Sequence, residues 1–243
     1  MPILACAWLA CSPAPGETRP AEAALEPAPG SAQGEIVLDR RADGATLWGR
    51  LEPIVPNSDA DRILIVRAEP PVAGVDGARA LDARFAGDAI LVLGADHVLR
   101  AHAQGSPEQP AHQQGAITEV DRAVEAPLAV AGRSVAYARG EMPFFEIARA
   151  ELDTGGARAI TQGMAPAWSP ALSPDGREVV FVSSAQGSPR LHRVDAAGTV
   201  TPLPATARTP SSPRAPTLEG DRLTFDDEQG RTTIDLRTGQ ELR

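Results

Sequence analysis

The sequence predicts an all-β chain assembled from repeated units. Three observations carry that reading: glycine turns recur at a near-constant interval, a β-branched or apolar run follows each turn, and no segment holds the apolar spacing of an amphipathic helix. Gly132, Gly176 and Gly220 stand 44 residues apart, and Gly87 lies 45 before Gly132. The runs AILVL, SVAYA, EVVFV and RLTFD follow Gly87, Gly132, Gly176 and Gly220 in turn. A period in this range is that of one four-stranded blade of a β-propeller, because a single blade cannot bury both of its faces without neighbours. An ordinary β-sandwich with unrelated glycine turns is the competing arrangement. Helices are disfavoured throughout, since 22 glycines and 23 prolines interrupt almost every stretch.

The first segment, Met1 to Cys11 (MPILACAWLAC), is apolar and ends in small residues before a cysteine. Residues 12–33 are Pro, Ala, Glu and Gly with little to pack, which reads as a tether. Together they resemble a bacterial lipoprotein export signal and its linker, although Trp8 stands where an aliphatic residue is usual and no basic residue precedes Arg19. The resemblance implies cleavage before Cys11, lipid on Cys11, and a location in the periplasm or at the outer membrane; secretion is the alternative. Ser12 in place of Asp leans toward the outer membrane. Residues 34–243 are then the repeat domain.

Within that domain, Ile36 to Leu51 (IVLDRRADGATLWGRL) reads as a strand, glycine turn, strand hairpin, and Arg62 to Val66 (RILIV) as a lone inner strand. Measured at the residue before each of these strands, the spacing shortens to 26 and then 27 residues between positions 34, 60 and 87. The expectation is therefore about five to six blades with degenerate N-terminal units. Ser173 to Gly176 (SPDG) is the clearest turn: Pro174 presets φ, Asp175 bonds back to nearby amides, and Gly176 is free to take positive φ. After it come VVFV (179–182), the turn QGSP (186–189) and the return strand LHRVD (191–195). Glu151 to Thr161, Val194 to Leu203 and Asp235 to Leu242 each close a unit with a strand end, a Gly turn and a short last strand.

At Ser173 to Asp195 the chain resembles the TolB-type propeller repeat, whose pattern is SPDG, a basic residue, a hydrophobic strand and a hairpin ending in a phrase like RVDADG. The resemblance covers residues 120 to 243 best. It implies an all-β, TolB-like propeller in the cell envelope, without the separate N-terminal α/β domain of TolB. A non-enzymatic binding or scaffold role toward a protein or glycan partner is the expectation it supports. A polysaccharide lyase or hydrolase on the same scaffold, and a degenerate structural propeller, are the alternatives.

Composition narrows the chemistry. Net charge is −9, and all 23 basic residues are arginines scattered among the acids, so no basic stripe suits nucleic acid or an anionic membrane surface. Membrane contact is expected only through the N-terminal lipid. Cys6 and Cys11 are the only cysteines, which excludes a disulfide scaffold or a cysteine nucleophile in the repeat domain. A GxSxG elbow is absent. His97 and His102 with Asp96 are a possible metal set, but HExxH or HxH spacing is missing; His112 reads as a loop residue and His192 as facing solvent or a neighbouring blade. Asn57, Asp59 and Asp61 alternate like the start of a calcium loop, yet Arg62 and Ala68 occupy its sixth and twelfth places. Asp226, Asp227 and Glu228 read as a hairpin turn, and Trp48 and Trp168 as core anchors, with rim aromatics for a ligand as the alternative. Phe85, Phe144, Phe145, Phe181 and Phe225 are the expected aromatic core. Neither a catalytic set, a metal nor a cofactor is assigned.

Overall fold

The computed structural model describes residues 35–54, 62–104, 116–141, 143–203, 214–227 and 230–242. All of its regular structure is β. The first unit holds β1 (Glu35–Arg40), β2 (Thr46–Pro53) and β3 (Arg62–Glu69). The second holds β4 (Arg79–Ala86), β5 (Ala89–Gly94), β6 (Leu99–Ala103) and β7 (Ile117–Asp121). Next come β8 (Val124–Ala131), β9 (Ser134–Arg139), β10 (Glu146–Glu151) and β11 (Ala157–Ala159). The fourth unit is β12 (Ala167–Leu172), β13 (Val179–Ser183), β14 (Arg190–Val194) and β15 (Val200–Pro202). The last is β16 (Arg214–Glu219), β17 (Arg222–Asp227), β18 (Gly230–Asp235) and β19 (Glu241–Leu242).

Every unit is an antiparallel meander, and units three to five are separate four-stranded sheets. The first two units are joined into one seven-stranded sheet by a short pairing of Leu64 and Ile65 with Ala80 and Arg79. Where a fourth strand would lie, the first unit has an irregular path from residue 70 to 78, tied to Val66 through the bonds Val66 N to Ala78 O and Gly77 N to Val66 O. Its degeneracy is local. The glycine period itself continues into this unit, because Gly44 closes the β1–β2 hairpin 43 residues before Gly87 closes β4–β5. The short spacings of 26 and 27 compared a first, a third and a second strand. RILIV, expected as an inner strand, is the third strand of its unit.

The second strands explain why the units need one another. Successive side chains on a strand point to opposite faces, so a strand that is apolar at every position must be covered on both sides. In β5, Ile90 and Val92 pack toward the first unit while Leu91 and Leu93 pack toward the third. In β9, Val135 and Tyr137 face the second unit while Ala136 and Ala138 face the fourth. In β13, Val179 and Phe181 face back and Val180 and Val182 face forward onto Leu223, Phe225 and Ile234. Burying each large apolar side chain contributes about 1.5–3 kcal/mol, so the seams between sheets hold most of the cohesive energy. The far face of the fifth unit is polar: Thr217, Glu219, Arg222, Thr224 and Asp226 alternate with the buried positions, and Thr224 and Thr233 hydrogen-bond at 3.0 Å.

The inner strands β1, β4, β8, β12 and β16 pack side by side in that order. Radially placed antiparallel sheets whose first strands line a common axis define a β-propeller. Trp48 is buried, with its indole N–H donating to Glu69 Oε2 at 3.2 Å, and Trp168 is half-buried between the third, fourth and fifth sheets. Phe144 departs from the expected core: it is 76% exposed, and only Phe145 of the adjacent pair packs inward.

Candidate functional site

The candidate site is the axial channel. A cavity of about 600 Å³ is lined by residues of all five inner strands. Each of these strands breaks register once before its glycine turn: at Val37/Asp39, Ala80/Asp82, Glu125/Ala129, Trp168/Ala171 and Arg214/Thr217. Proline explains three of the breaks. Pro127, Pro170 and Pro216 have no N–H to give to a ladder and stand at the irregular positions of β8, β12 and β16.

Aspartate stands at the other two breaks and does something different. Asp39 Oδ2 accepts the backbone N–H of Phe85 at 2.9 Å, and Asp82 Oδ2 accepts that of Leu128 at 2.9 Å. Each carboxylate therefore fastens its inner strand to the next one round the ring, 46 residues ahead in both cases. Asp82 also accepts the Ala83 N–H at 2.8 Å, and Arg84 Nε lies 3.3 Å from Asp82 Oδ1 but out of line for a hydrogen bond. Burial dominates the electrostatics of Asp82 and pushes its pKa up, against the lowering pull of Arg84 and the two amides. Arg84 completes the clasp by donating from Nη1 to Leu38 O at 2.7 Å.

The channel wall is two-sided. Pro127, Leu128, Pro170, Ala171, Pro216 and Leu218 give it an apolar half, while Asp39, Arg40, Arg41 and Arg84 give it a charged half, with Glu219 on the fifth unit. Arg41 is held: it donates to Asp43, to Gly87 O at 3.2 Å and to Gln104 Oε1 at 2.5 Å, and its guanidinium sits 5.2 Å above the Phe85 ring. Arg40 is exposed, and among the described residues its guanidinium has no ion pair or hydrogen bond. Beside the channel, Arg133 bridges Asp88 of the second unit and Asp153 of its own.

Acid–base cleavage of a glycan needs two carboxyl groups at a set separation. Here two carboxylates line the cavity, Asp39 and Glu219; Asp39 is engaged with backbone amides, and among the described residues no histidine lines it. The sequence-level candidates do not converge on it. Asp226 lies within β17, 3.4 Å from Arg231 on the polar far face, and the strand rather than a turn runs through Asp227. Asp96 is bound by Arg100 at 2.6 and 3.1 Å, which depresses its pKa to about 2. His97 is 3.1 Å from Glu125, whereas His102 is buried beneath the 70–78 segment. Among the described residues no group of three His, Cys, Asp or Glu is placed to hold a metal. His192 is buried against Phe181, ring centroids 5.5 Å apart, in the seam between the third and fourth units. Asn57, Asp59, Asp61, His112, Glu228 and Cys11 lie outside the described residues.

In the SPDG turn, Gly176 N donates to Ser173 O at 2.8 Å and Gly176 has φ of 70°. Ser173 Oγ donates to Asp175 Oδ1 at 2.6 Å and accepts the Glu178 N–H at 2.9 Å, so the side chains close the loop. The aspartate clasps and the proline breaks escaped the sequence reading. One signal was present: a proline stands five, six and four residues before Gly132, Gly176 and Gly220, and an aspartate five before Gly44 and Gly87.

No family model and no curated protein matches the chain. Solved structures do. TolB from Acinetobacter baumannii superposes with a TM-score of 0.53 at 16% identity, over 81% of this chain and 51% of that one. The putative TolB from Agrobacterium tumefaciens gives 0.54 at 18% identity, covering 84% and 78%. The tricorn protease gives 0.58 at 12% identity, over 85% of this chain and 26% of the other. The chain thus spans about half the length of the Acinetobacter TolB it resembles. At these identities the likeness establishes the fold: an all-β, TolB-like propeller.

Proposed function

We propose that this chain is an exported, lipid-anchored β-propeller that serves as a non-enzymatic binding or scaffold module of the bacterial cell envelope. The observation that carries the reading is the channel, whose wall is apolar on three units and cationic on two, with its Asp39 carboxylate engaged in holding the ring. Such a wall offers an extended segment of a protein or glycan partner an apolar surface and the Arg40 guanidinium, which has no bonded partner among the described residues. The likeness to two TolB structures supports an envelope setting, periplasmic or at the outer membrane, with secretion as the alternative.

Cys11 is the proposed lipid-bearing residue, residues 1–11 its export signal and residues 12–33 the tether. Palmitate-analogue labelling of the expressed protein tests the anchor: label in the parent and none in Cys11→Ala supports it, and unlabelled parent overturns it. Photo-crosslinkers at Arg40 and at Arg231 test the channel in envelope extracts. A discrete adduct from position 40 alone supports channel binding; adducts equal from both positions overturn it. Turnover of acidic polysaccharide by the purified protein, lost on changing Glu219 to Gln, would instead support the lyase or hydrolase.

A further inference from the structure

We infer that the groove between the third and fourth units is a binding site for a small dianion, held by the guanidinium groups of Arg158 and Arg177. The groove is a separate concavity of about 360 Å³, away from the axial channel and lined by the outer parts of the third and fourth units.

Its construction begins with strand register. Arg149 on β10 and Arg158 on β11 are direct cross-strand partners, so two guanidinium groups leave the same face of the sheet side by side. Like charges placed opposite one another on a sheet are unfavourable unless a counter-charge intervenes. Glu151 compensates Arg149, to which it is ion-paired, and accepts the Ser134 hydroxyl with its other oxygen. Arg158 feels Glu151 only at longer range, and among the described residues it has no ion pair or side-chain hydrogen bond. Arg177 enters the groove from the fourth unit, from the turn that follows Gly176, and its guanidinium is likewise without a bonded partner among the described residues.

Two acids stand near these arginines, and both are engaged by their own turns. Asp195 lines the groove, but its Oδ1 accepts the N–H groups of Ala197 and Thr199, both at 2.9 Å, and so caps its own turn. Asp175 accepts from Ser173 Oγ and from the Arg177 backbone N–H. Val179 and Val194 supply an apolar floor, and Gln162 adds an amide at the rim. Two unpartnered planar forks above an apolar floor match a ligand with two oxyanion groups, because each guanidinium can engage a carboxylate or phosphate through two parallel N–H donors. The volume lies at the lower end of small-molecule sites, which favours a compact dianion over a polymer.

Isothermal titration with inorganic phosphate and, separately, with succinate tests the site and distinguishes a phosphoryl from a dicarboxylate ligand. The expected result is saturable binding of at least one probe by the parent, weakened tenfold or more in the double variant Arg158→Gln, Arg177→Gln. Arg231→Gln, on the far side of the fifth unit, should bind as the parent does. Should the double variant fail to fold by circular dichroism, the two single variants replace it, each expected to weaken binding at least threefold. Absence of saturable binding of both probes by the parent, or equal affinity in the arginine variants, overturns the inference. The outcome is independent of lipid attachment and of any partner in the channel.

Discussion

Asp82 and Leu128 are 46 residues apart in sequence and 2.9 Å apart in space, carboxylate oxygen to backbone nitrogen, and that single bond joins the inner strands of two successive blades. Asp39 and Phe85 repeat the relationship one blade earlier. From the third unit onward proline stands at the corresponding break, and the seams depend on apolar packing.

Asp82→Ala should therefore destabilise the protein by about 2–4 kcal/mol, since it strips a partner from a buried amide and leaves Arg84 without its counter-charge. Asp39 is less buried, and Asp39→Ala should cost less. Urea unfolding of both variants checks the order; an Asp82 loss equal to or below that of Asp39 contradicts the clasp.

Gly176→Val should cost about 1–3 kcal/mol, because the position has positive φ and an added Cβ would sit 2.9 Å from Ser134 Oγ. Gly132 has a similar φ of 60° but open space around its Cβ, so Gly132→Val isolates the backbone strain from the clash. Thermal melts of the pair should rank Gly176→Val lower.

Two aromatic positions should diverge sharply. Phe181 is wholly buried at the seam of the third and fourth units, and Phe181→Ala should lose about 3–5 kcal/mol. Phe144→Ser, at an exposed loop, should change stability by less than about 0.5 kcal/mol. A comparable loss at both sites, read by denaturant midpoints, would mean that Phe144 packs in solution.

Stability should fall as the solution is acidified below about neutrality. Burial lowers the pKa of His102 and of His192 from the ordinary imidazole value of 6.5, so the folded protein resists protons that the unfolded chain accepts. The stabilising contribution of the neutral rings is complete above pH 6.5 and is lost as pH drops below it toward the folded-state values. Unfolding free energies measured at pH 7.5, 6.5 and 5.5 should decline in the parent and flatten in the double variant His102→Gln, His192→Phe. An unchanged slope would assign the acid sensitivity to other groups.

The repeat was legible because it is written in local physics. Gly87, Gly132, Gly176 and Gly220 all close hairpins at positive φ, and the apolar runs behind them are all second strands. The N-terminal unit was harder to place, because the sequence shows that a strand exists without showing its rank within a sheet. RILIV is as apolar as an inner strand yet lies third, and the Gly44 turn that keeps the period was hidden inside the hairpin it closes. Phe144 misled for a related reason: the sequence shows an aromatic residue without showing which way its side chain faces, and of the adjacent pair Phe145 packs inward while Phe144 is exposed.

The sequence by itself determined the all-β class, the period and the turn chemistry, since these depend on neighbours within a few residues. Only the tertiary structure decided which residues meet. The channel wall, the Asp82 clasp and the groove lined by Arg158 and Arg177 each join residues from different strands or sheets, and which residues come together depends on register breaks and on the radial placement of whole blades. A one-residue shift in any inner strand turns its side chains to the opposite face, and no count of spacings along the chain contains that shift.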